Sequence, residues 1–486
     1  MSGRPSRRLL LVGAGYTARI VADAFVRQAR GEELVAALDD DPARLGEAIG
    51  PARVVGTMEA LASVAAAERI DEVIIAIPSL PGPRLREIAL TCRGLGLPVR
   101  TMPSITELLG QPITPRQLRP VELADLLRRS EVRCDDVPPA WLRGQRVLLT
   151  GAGGSIGREL ARQVCRADPA HLVLLGHGEN SIHAAHMDLS AEPGAPALTP
   201  TIADIRDRRA LARVFDVHRP TVVVHAAAHK HVPLMEAHPS EAVLNNVIGT
   251  AHVVDCAEAS GVDRLLFVST DKAVAPASVM GATKRVGEWI VGDAARRTRR
   301  HFVSVRFGNV LGSRGSVVPV LEQQIARGGP LTLTHPETTR FFMTIPEAAY
   351  LVLQAAGLEE GGGLYALDMG RPVRIVDLAN DLLALAGVPP GTMPVMFTGL
   401  RPGEKLQEAL WEPGSVTSAT GRGDILRIEE GSAPLQGERL ARLLSALRRA
   451  ALRGDGLEVH RQLAGAIPSF VSSRLADVSV TPAWMR

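Results

Sequence analysis

Two glycine-rich turns, each directly after a short and largely apolar run, constrain the fold of this chain more than any other feature. The first run covers residues 9–12 and leads into Gly13; the second covers residues 146–150 and leads into Gly151. Such a run is typical of a strand buried on both faces of a parallel sheet. A glycine turn between this strand and a helix lets backbone N–H groups approach a pyrophosphate. The sequence therefore predicts an α/β fold with two Rossmann-like units, each a doubly wound parallel sheet.

Length and the spacing of further apolar runs divide the chain into four parts. At 486 residues the chain exceeds what one hydrophobic core normally organises. After each glycine turn, apolar runs recur at intervals long enough for crossover helices. We expect an N-terminal Rossmann-like domain at residues 1–130, a linker at 131–145, a catalytic domain with a C-terminal substrate lobe at 146–430, and helices with a tail at 431–486.

Composition and charge exclude several classes of protein. The formal net charge is +3 and the arginines alternate with acidic residues, so no face for nucleic acid is predicted. Cys92, Cys134, Cys165 and Cys256 lie far apart without paired spacing, which argues against a disulfide framework and a metal site. Gly13 breaks the N-terminal apolar run, and no later run reaches membrane-spanning length. We therefore expect a soluble, cytoplasmic protein with no membrane span.

The second turn has three spaced glycines between a strand and a helix, which is typical of dinucleotide binding. Asp204 and Ile205 follow a later strand, where an acid can meet the adenine. An acid that grips the adenosine ribose is expected after the second strand, but Gly176 stands there, and Glu179 is either its substitute or a solvated loop residue. We predict NAD as the cofactor and leave NADP open. The predicted cofactor-binding residues are Gly151, Gly154, Ser155, Ile156, Gly157, Glu179, Asp204, Ile205, Ala226, Ala227 and Lys284.

The first turn is a weaker match to the same pattern. Only Gly13, Gly15 and Ala18 have the required spacing, and Asp39 stands at the end of the next strand. Because Rossmann folds without a nucleotide also satisfy this pattern, a tight packing turn and a ligand site are equal alternatives. The N-terminal unit could bind a nucleotide, mediate assembly or brace the catalytic unit.

Two short segments carry candidate catalytic residues. Thr270, Asp271 and Lys272 directly follow an apolar run, and ligands bind at the carboxyl ends of strands in open parallel sheets. Elimination of water requires an acid and a base, which Asp271 and Lys272 could supply together; a surface turn capped by the same residues is the alternative. Further on, Lys284 follows Met280 at a spacing of four residues. A thioether cannot abstract a proton, so Met280 is not a base.

Five segments resemble the polysaccharide-biosynthesis nucleotide-sugar dehydratases, a family of extended short-chain dehydrogenases. They cover residues 225–236, 269–285, 305–316, 339–344 and 400–406, and the resemblance runs from about residue 5 to 415. Related enzymes activate a sugar hydroxyl with a Tyr and a Lys four residues later. Met at the Tyr position makes the chain similar to the long-form UDP-N-acetylglucosamine 4,6-dehydratases. Those members carry transmembrane helices ahead of the first Rossmann unit and this sequence shows none, which we expect to affect membrane attachment and not the chemistry.

The resemblance implies an NAD-dependent reaction on a UDP-N-acetylhexosamine, with UDP-N-acetylglucosamine as the expected substrate. Hydride leaves C4, water is eliminated across C5 and C6, and hydride returns to C6, giving a 4-keto-6-deoxy sugar nucleotide. It further implies that Lys272 removes the C5 proton, Asp271 protonates the departing 6-hydroxyl and Thr270 lies near the 4-hydroxyl. Lys284 would hold the nicotinamide ribose.

The same resemblance implies a set of substrate-binding residues. Lys230 and His231 follow a strand end, with a basic solvated loop as the alternative. Arginine suits a diphosphate because its guanidinium is always charged and binds bidentately, although a lobe-to-lobe ion pair is the alternative for Arg401 and Glu404. The full set is Lys230, His231, Asn309, Arg314, Ser316, Arg340, Arg401 and Glu404.

Two other functions stay open at this point. A nucleotide-sugar epimerase uses the same oxidation at C4 without elimination, so it does not need Asp271 and Lys272 as a pair. A nucleotide-sugar-binding protein that has lost catalysis would explain the missing Tyr, but the presence of Asp271, Lys272 and Lys284 opposes it. We also expect a homo-oligomer, and the long-form resemblance favours retention of configuration at C5.

Overall fold

The structure of the chain, a computed structural model, describes residues 7–28, 31–103, 117–127, 139–192, 194–358, 362–389, 391–431 and 433–472. The chain divides into two compact units, residues 1–137 with 379–393 and residues 138–378 with 394–486. The division falls in the predicted linker, of which residues 131–138 lie outside the described residues. Across the described ranges, every helix is too short or too polar to cross a bilayer.

The first unit contains one sheet of seven strands, in which the five inner strands run parallel and each edge strand runs antiparallel. The strands lie side by side in the order β3-β4-β2-β1-β5-β6-β7. In chain order they are β1 (Arg7–Val12), β2 (Glu32–Leu38), β3 (Ala48–Ile49), β4 (Ala52–Gly56), β5 (Glu72–Ile75), β6 (Val99–Thr101) and β7 (Arg119–Pro120). The helices described in this part are α1 (Tyr16–Gln28), α2 (Leu61–Ala67), α3 (Gly82–Gly94) and α4 (Leu123–Leu126).

Helices cover both faces of this sheet, which explains why β1 is apolar at successive positions. Leu9 and Leu11 belong to one apolar cluster, together with residues of α1. Leu10 and Val12 belong to a second cluster, together with residues of α2 and α3. Successive side chains of a strand point to opposite faces, so both faces require apolar residues when both are buried.

The second unit contains a sheet of nine strands, of which seven run parallel and two at one edge run antiparallel. They lie in the order β10-β9-β8-β11-β12-β13-β18-β22-β21. These strands are β8 (Arg146–Thr150), β9 (His171–Gly176), β10 (Leu198–Ile202), β11 (Val222–His225), β12 (Arg264–Val268), β13 (His301–Arg306), β18 (Gly363–Leu367), β21 (Val416–Ala419) and β22 (Ile425–Glu429). Three two-stranded sheets are formed by β14 (Asn309–Val310) with β17 (Phe342–Met343), β15 (Leu331–Leu333) with β20 (Val395–Phe397), and β16 (Thr339–Arg340) with β19 (Val373–Arg374).

Helices separate the parallel strands of this sheet, as crossover connections require. They are α5 (Ser155–Arg166), α6 (Glu179–Ser190), α7 (Arg208–His218), α8 (Val232–Ala237), α9 (Pro239–Ala242), a π-helix (Val243–Gly249), α10 (Thr250–Ala259), α11 (Val279–Thr298), α12 (Val317–Ala326) and α13 (Ile345–Ala356). Three further helices, α14 (Ile375–Leu385), α15 (Gly437–Leu452) and α16 (Gly456–Ala466), follow the last parallel strand of this sheet. The predicted α/β class with two Rossmann-like units is confirmed.

Residues 379–393 group with the first unit, although the sequence analysis assigned them to the catalytic domain. Asp381 lies in the second half of α14 and pairs with Arg86 Nη2 at 2.5 Å. Leu385 packs against the apolar cluster that contains Leu85. These contacts join residues almost 300 positions apart, which no local pattern in the sequence indicates.

The C-terminal helices complete the apolar core of the second unit. Leu443 and Leu447 of α15 and Val459 of α16 are fully buried and belong to the same cluster as Val286 of α11. The sequence analysis set residues 431–486 apart as helices and a tail. Residues 437–466 are instead part of the catalytic unit's core, and residues 473–486 lie outside the described residues.

We predict that Leu447→Ala lowers the free energy of unfolding of the second unit by about 2–5 kcal/mol, because it leaves a cavity in this core. Trp141, Trp289 and Trp411, the tryptophans among the described residues, belong to the second unit, so their fluorescence in a urea titration follows that unit. The remaining tryptophan of the chain, at position 484, lies outside the described residues. Leu452→Ala on the same helix is the control, since Leu452 is 65% exposed. Equal unfolding curves for the two variants would contradict the shared core.

Candidate active site

The second glycine turn brings the end of β8 and the start of α5 into close contact. Gly151 has a φ of +73°, and a Cβ there would lie 2.7 Å from Ala227 N. A Cβ on Gly157 would overlap the carbonyl oxygen of Gly151. Neither position admits a side chain, so the backbone of the turn packs closely against the loop after β11 and against itself. The first N–H groups of α5, those of Ser155 and Ile156, begin a helix at this turn, and a helix N-terminus attracts anions.

Other predicted cofactor-binding residues pack around this turn. Ala226 N donates to Thr150 O at 3.1 Å, and Gly154 N donates to Gly151 O at 2.9 Å. Both residues thus shape the backbone of the turn. Ile205 is buried, and its side chain lies close to the π-helix.

A chain of hydrogen bonds fixes the strand ends beneath the turn. Thr150 Oγ1 lies 2.7 Å from His225 Nδ1, and His225 Nε2 lies 3.0 Å from Thr250 Oγ1. Thr250 Oγ1 donates onward to Asn246 O at 2.7 Å, so the proton of His225 is on Nε2, and Nδ1 accepts from Thr150. Burial and the charge of Lys284 lower the pKa of His225 to about 3, which keeps the ring neutral and the direction of the chain fixed.

Thr270, Asp271 and Lys272 lie together in a turn directly after β12, which is called the catalytic turn below. Thr270 Oγ1 donates to Asp271 Oδ1 at 2.9 Å, and Lys272 Nζ donates to the same oxygen at 3.0 Å. Lys272 Nζ also donates to Asn309 Oδ1 at 3.0 Å. The Asp271 side chain is fully buried, and its Oδ2 has no hydrogen-bond partner among the described residues. A Cβ on Gly308 would lie 3.3 Å from this oxygen and 2.7 Å from Phe341 Cβ, so the glycine allows close packing beside Asp271.

Met280 and Lys284 lie one turn apart on α11, and both side chains are buried. Lys284 Nζ donates to Val268 O at 2.6 Å and lies 3.8 Å from the centroid of the Phe267 ring. Burial lowers the pKa of Lys284 to about 7, while the charge of Glu288 acts in the opposite direction. Met280 is part of the apolar core, so the position of the Tyr in related enzymes carries no ionisable group here.

Three cationic side chains converge beside the catalytic turn. Lys230 Nζ donates to Ser313 Oγ at 3.3 Å, and its pKa is lowered by burial and by the charges of Arg314 and Lys272. Arg314 lies against the glycine turn, where its backbone N–H donates to Ser155 Oγ at 3.2 Å. Like charges disfavour one another, and an anion bound between them removes that cost. The arrangement therefore suits an anionic ligand next to the pyrophosphate cradle.

His231 and Ser316 lie beside the same group. The His231 ring packs on Gly315, where a Cβ would lie 2.6 Å from His231 Cε1. Burial and the charge of Lys230 lower the pKa of His231. Ser316 Oγ is buried without a hydrogen-bond partner in the part of the chain that the structure describes. The structure thus brings Lys230, His231, Arg314 and Ser316 together.

The two acids predicted for the adenosine half of the cofactor lie in different environments. Asp204 accepts from the guanidinium and the backbone N–H of Arg206, and these hydrogen bonds lower its pKa. Glu179 begins α6 and is exposed. A Cβ on Gly176 would lie 2.8 Å from Ile182 Cδ1, which explains why no acid occupies that position.

Arg340 holds the backbone of a loop, a role that the sequence did not indicate. Its guanidinium is buried and donates to Lys405 O at 2.8 Å and to Leu406 O at 3.1 Å. Arg401 and Glu404 form a local ion pair, with 2.9 Å between Arg401 Nε and Glu404 Oε1. The alternative to diphosphate binding predicted for these two residues was an ion pair between lobes, whereas the observed pair joins residues three positions apart in one loop.

In the first glycine turn, the Asp39 carboxylate binds a backbone N–H of the turn itself. Asp39 Oδ2 accepts from Ala14 N at 2.7 Å, and Arg44 Nη1 donates to Ala14 O at 2.6 Å. Gly13 has a φ of +105°, and a Cβ there would lie 2.5 Å from Ile77 Cγ1. These contacts favour the packing turn over the ligand site. In neither unit do the described residues contain three or more His, Cys, Asp or Glu side chains grouped to hold a metal ion.

Lysine usage is a signal that the sequence analysis did not use. The chain contains four lysines, Lys230, Lys272, Lys284 and Lys405, although Lys and Arg together number 55. Lys405 Nζ donates to Val274 O at 2.7 Å, directly after the catalytic turn. Arginine stays charged, whereas a lysine pKa shifts on burial and the side chain can then exchange a proton near neutral pH. Each lysine of this arginine-rich chain is therefore a candidate functional position.

A buried ion pair behind the catalytic turn was also missed. Glu288 accepts from Arg306 Nε at 2.7 Å and from Arg306 Nη2 at 2.6 Å. Ser269 Oγ donates to the same carboxylate at 2.6 Å. Glu288 follows Lys284 by four residues on one helix, and this spacing is the sequence signal that indicates their proximity.

Comparison with known proteins extends the resemblance over both units. A family model described as polysaccharide biosynthesis protein matches residues 147–430. The probable polysaccharide biosynthesis protein EpsC of Bacillus subtilis (strain 168) is 44% identical over 414 residues, which cover 85% of this chain and 69% of EpsC. Among solved structures, that of Pen from Bacillus thuringiensis aligns with a TM-score of 0.54 at 29% identity, covering 62% of this chain and 90% of Pen.

Relatives with named activities match over shorter stretches. The UDP-N-acetylglucosamine 4,6-dehydratase (inverting) of Campylobacter jejuni is 30% identical over 272 residues, which cover 55% of this chain and 77% of that enzyme. The UDP-glucose 4-epimerase of Rickettsia canadensis is 32% identical over 285 residues, covering 58% of this chain and 82% of that enzyme. Both activities begin from a nucleotide sugar.

We predict that Gly281→Ala lowers the free energy of unfolding of the second unit by about 1–3 kcal/mol, because the added Cβ would overlap Lys272 O and push the catalytic turn away from α11. Gly292→Ala on the same helix is the control. A Cβ at position 292 meets no atom within 4 Å, so this variant should be neutral or slightly more stable. Urea unfolding followed by tryptophan fluorescence measures both, and equal stability of the two variants would contradict the close approach.

Proposed function

Because the chain belongs to the polysaccharide biosynthesis protein family, whose relatives include nucleotide-sugar dehydratases and epimerases, we propose that it is a nucleotide-sugar 4,6-dehydratase. The proposed substrate is a UDP-N-acetylhexosamine, with UDP-N-acetylglucosamine as the first choice. The product is a 4-keto-6-deoxy sugar nucleotide that serves polysaccharide or glycan synthesis.

The observation that carries this proposal is the pair that the buried Asp271 forms with the partly exposed Lys272. Elimination across C5 and C6 requires a base at C5 and an acid at the 6-hydroxyl, held a few ångström apart. Lys272 Nζ and Asp271 Oδ1 are 3.0 Å apart, and Asp271 Oδ2 is buried beside Gly308 without a partner among the described residues. An acid oxygen with an open hydrogen-bond capacity suits transfer of a proton to a substrate hydroxyl.

The cationic side chains support a diphosphate-bearing substrate. Lys230, Lys272 and Arg314 bring three positive charges to one place, and Ser316 Oγ adds a buried hydroxyl without a partner in the described part of the chain. A diphosphate carries negative charges and several acceptor oxygens, so it matches this set. We assign Lys230, His231, Arg314 and Ser316 to the substrate and its diphosphate.

The glycine turn and Lys284 are assigned to the cofactor. Gly151 and Gly157 allow the close backbone packing that places the turn at the start of α5, and Lys284 lies one turn beyond Met280 on the helix that contacts the catalytic turn. Bound at this turn, a nicotinamide dinucleotide supplies reversible oxidation at C4 of the sugar. NAD is the proposed form because Glu179 is the exposed acid at the start of α6, next to the end of β9.

Three side chains of the catalytic turn are assigned to the steps of the elimination. The Thr270 hydroxyl, fixed by its hydrogen bond to Asp271, orients the 4-hydroxyl, whose proton leaves to solvent as C4 is oxidised. The Lys272 ammonium passes a proton to Asp271, which makes Lys272 the base and Asp271 the acid. Once C4 is a carbonyl, the C5 proton is acidic, and Lys272 removes it while Asp271 protonates the departing 6-hydroxyl. Lys272 returns a proton to C5 after C6 has been reduced, and the pair regains one proton from solvent.

An epimerase is the second candidate, because the Rickettsia canadensis UDP-glucose 4-epimerase matches the chain at similar identity. Epimerisation at C4 requires oxidation and reduction of the same carbon and no elimination. In an epimerase, the pair of Asp271 and Lys272 would have no step to catalyse. The pair therefore favours the dehydratase.

We predict that the protein, incubated with UDP-N-acetylglucosamine and catalytic NAD in deuterated water, gives a product that has lost one water. Because Lys272 exchanges its proton with solvent, one deuterium should enter at C5 and none at C6. NMR and mass spectrometry of the sugar nucleotide measure both. An unchanged mass with inverted C4 would establish the epimerase instead, and an unchanged substrate would contradict both proposals for this sugar.

We predict that Asp271→Asn lowers the rate of water loss by about 100-fold or more, because an amide cannot protonate the 6-hydroxyl. Oxidation at C4 should persist, so a 4-keto hexose that retains its oxygen at C6 should appear in quenched reactions by mass spectrometry. Asp255→Asn is the control, since this carboxylate on α10 is half-exposed and lies 3.8 Å from Arg208. Full dehydration by Asp271→Asn would contradict the assigned acid.

A further inference from the structure

Glu288 lies behind the catalytic turn and takes no part in the mechanism proposed above. It is on α11, one turn beyond Lys284, and its side chain is 4% exposed. A carboxylate is costly to bury unless hydrogen bonds and positive charges compensate it. Its partners therefore indicate what the fold gains from keeping it.

Among the described residues, Glu288 has three partners: Arg285, whose Nη1 lies 3.6 Å from Glu288 Oε2, Arg306, and the strand end that carries the catalytic turn. Ser269 Oγ donates to Glu288 Oε1 at 2.6 Å, and Ser269 N donates to Val305 O at 2.8 Å. Thr270 and Asp271 follow directly, and Asp271 N donates to Phe307 O at 3.0 Å. Glu288 is thus hydrogen-bonded to the residue immediately before the catalytic turn.

The partner Arg306, at the end of β13, is fully buried. Arg306 donates to both oxygens of Glu288 and, through Nη2, to Glu430 Oε1 at 2.8 Å. Arg285 also donates to Glu430. Burial by itself raises the pKa of Glu288, but the charge and hydrogen bonds of Arg306 outweigh it, so the net pKa is lowered and the carboxylate stays ionised.

The groups that surround the Lys284 side chain come from three elements, and one of them, Glu288, is charged. On β12, the Val268 carbonyl and the Phe267 ring contact its Nζ. On β11, His225 is neutral because burial holds its pKa at about 3. On α11, Glu288 supplies the negative charge that favours the ammonium form of Lys284. Arg285 and Arg306, the nearest arginines of this group, are both paired with carboxylates.

We infer that Glu288 is a positioning residue that keeps Lys284 an ammonium ion and holds the Thr270–Asp271–Lys272 turn in place through Ser269. The inference rests on the proposed function, in which Lys284 binds the nicotinamide ribose. One buried carboxylate then serves both parts of the site, because its hydrogen bonds fix the turn and its charge acts along the helix on the lysine.

The sign of the effect follows from the charges. Lys284 loses its proton as the pH rises through about 7. Replacing the carboxylate by an amide removes the attraction that favours the ammonium, so deprotonation should occur at lower pH. For a charge one helical turn away we expect a downward shift of about one pH unit.

Four lysines in the chain make a direct measurement possible. Protein labelled with ¹³C at the lysine ε-carbon gives four ε-methylene signals, and a pH titration by NMR yields the midpoint of each. Lys284→Met identifies the Lys284 signal by its disappearance. Wild type, Glu288→Gln and Glu430→Gln are compared without substrate or cofactor.

Glu430→Gln is the matched control. It removes a buried carboxylate from the same Arg306 side chain, but it leaves Glu288 beside Lys284. We expect both variants to be less stable than wild type, and only Glu288→Gln to lower the Lys284 midpoint. An unchanged midpoint in Glu288→Gln, or an equal shift in Glu430→Gln, would overturn the inference.

If Glu288→Gln does not fold, the double variant Glu288→Gln/Arg306→Met replaces it, because removing both charges of a buried pair is tolerated better than removing one. The same criterion applies to its Lys284 midpoint. Where wild type converts UDP-N-acetylglucosamine, the alkaline limb of kcat/KM should shift with that midpoint. A wild type that converts no sugar nucleotide refutes the proposed function, while the titration still decides the role of Glu288.

Discussion

The bidentate ion pair between Glu288 and Arg306 is the interaction on which the catalytic end of the second sheet depends. One charge comes from helix α11 and the other from β13, and Ser269 at the end of β12 bonds to the same carboxylate. Loss of one partner of a buried pair costs about 3–5 kcal/mol, because the other charge is left uncompensated. Three consecutive elements, β12, α11 and β13, are therefore fixed at the edge of the sheet where the acid, the base and the lysine must meet.

Around this pair, the site combines close backbone packing with a buried acid and with positively charged side chains. Gly157, Gly281 and Gly308 allow helices and loops to approach strand ends more closely than any side chain would permit. The interior of the site contains Asp271 with one open oxygen, while Lys230 and Arg314 border it with positive charge. An anionic ligand is thus attracted by one part of the site and meets an acid in another.

The repeated strand, glycine turn and helix could be read from sequence because each depends on neighbouring residues. Continuous apolar runs and the register of parallel strands account for the fold class and both sheets. They also account for the position of Thr270, Asp271 and Lys272 at a strand end. The assignment of residues 379–393 to the first unit could not, because it rests on contacts such as Asp381 with Arg86. Arg340 was predicted to meet phosphate because guanidinium suits it, whereas its use by loop carbonyls depends on tertiary packing.

The burial of α15 and α16 in the core of the second unit has a consequence for the growing chain. The first unit also includes residues from beyond position 378, so neither compact unit is complete when its own first segment leaves the ribosome. Leu443, Val459 and Phe470 enter the core of a sheet whose first strand begins at residue 146. Part of the apolar surface of this sheet therefore stays exposed until α15 and α16 have been synthesised. Chaperones bind exposed apolar surfaces of this kind.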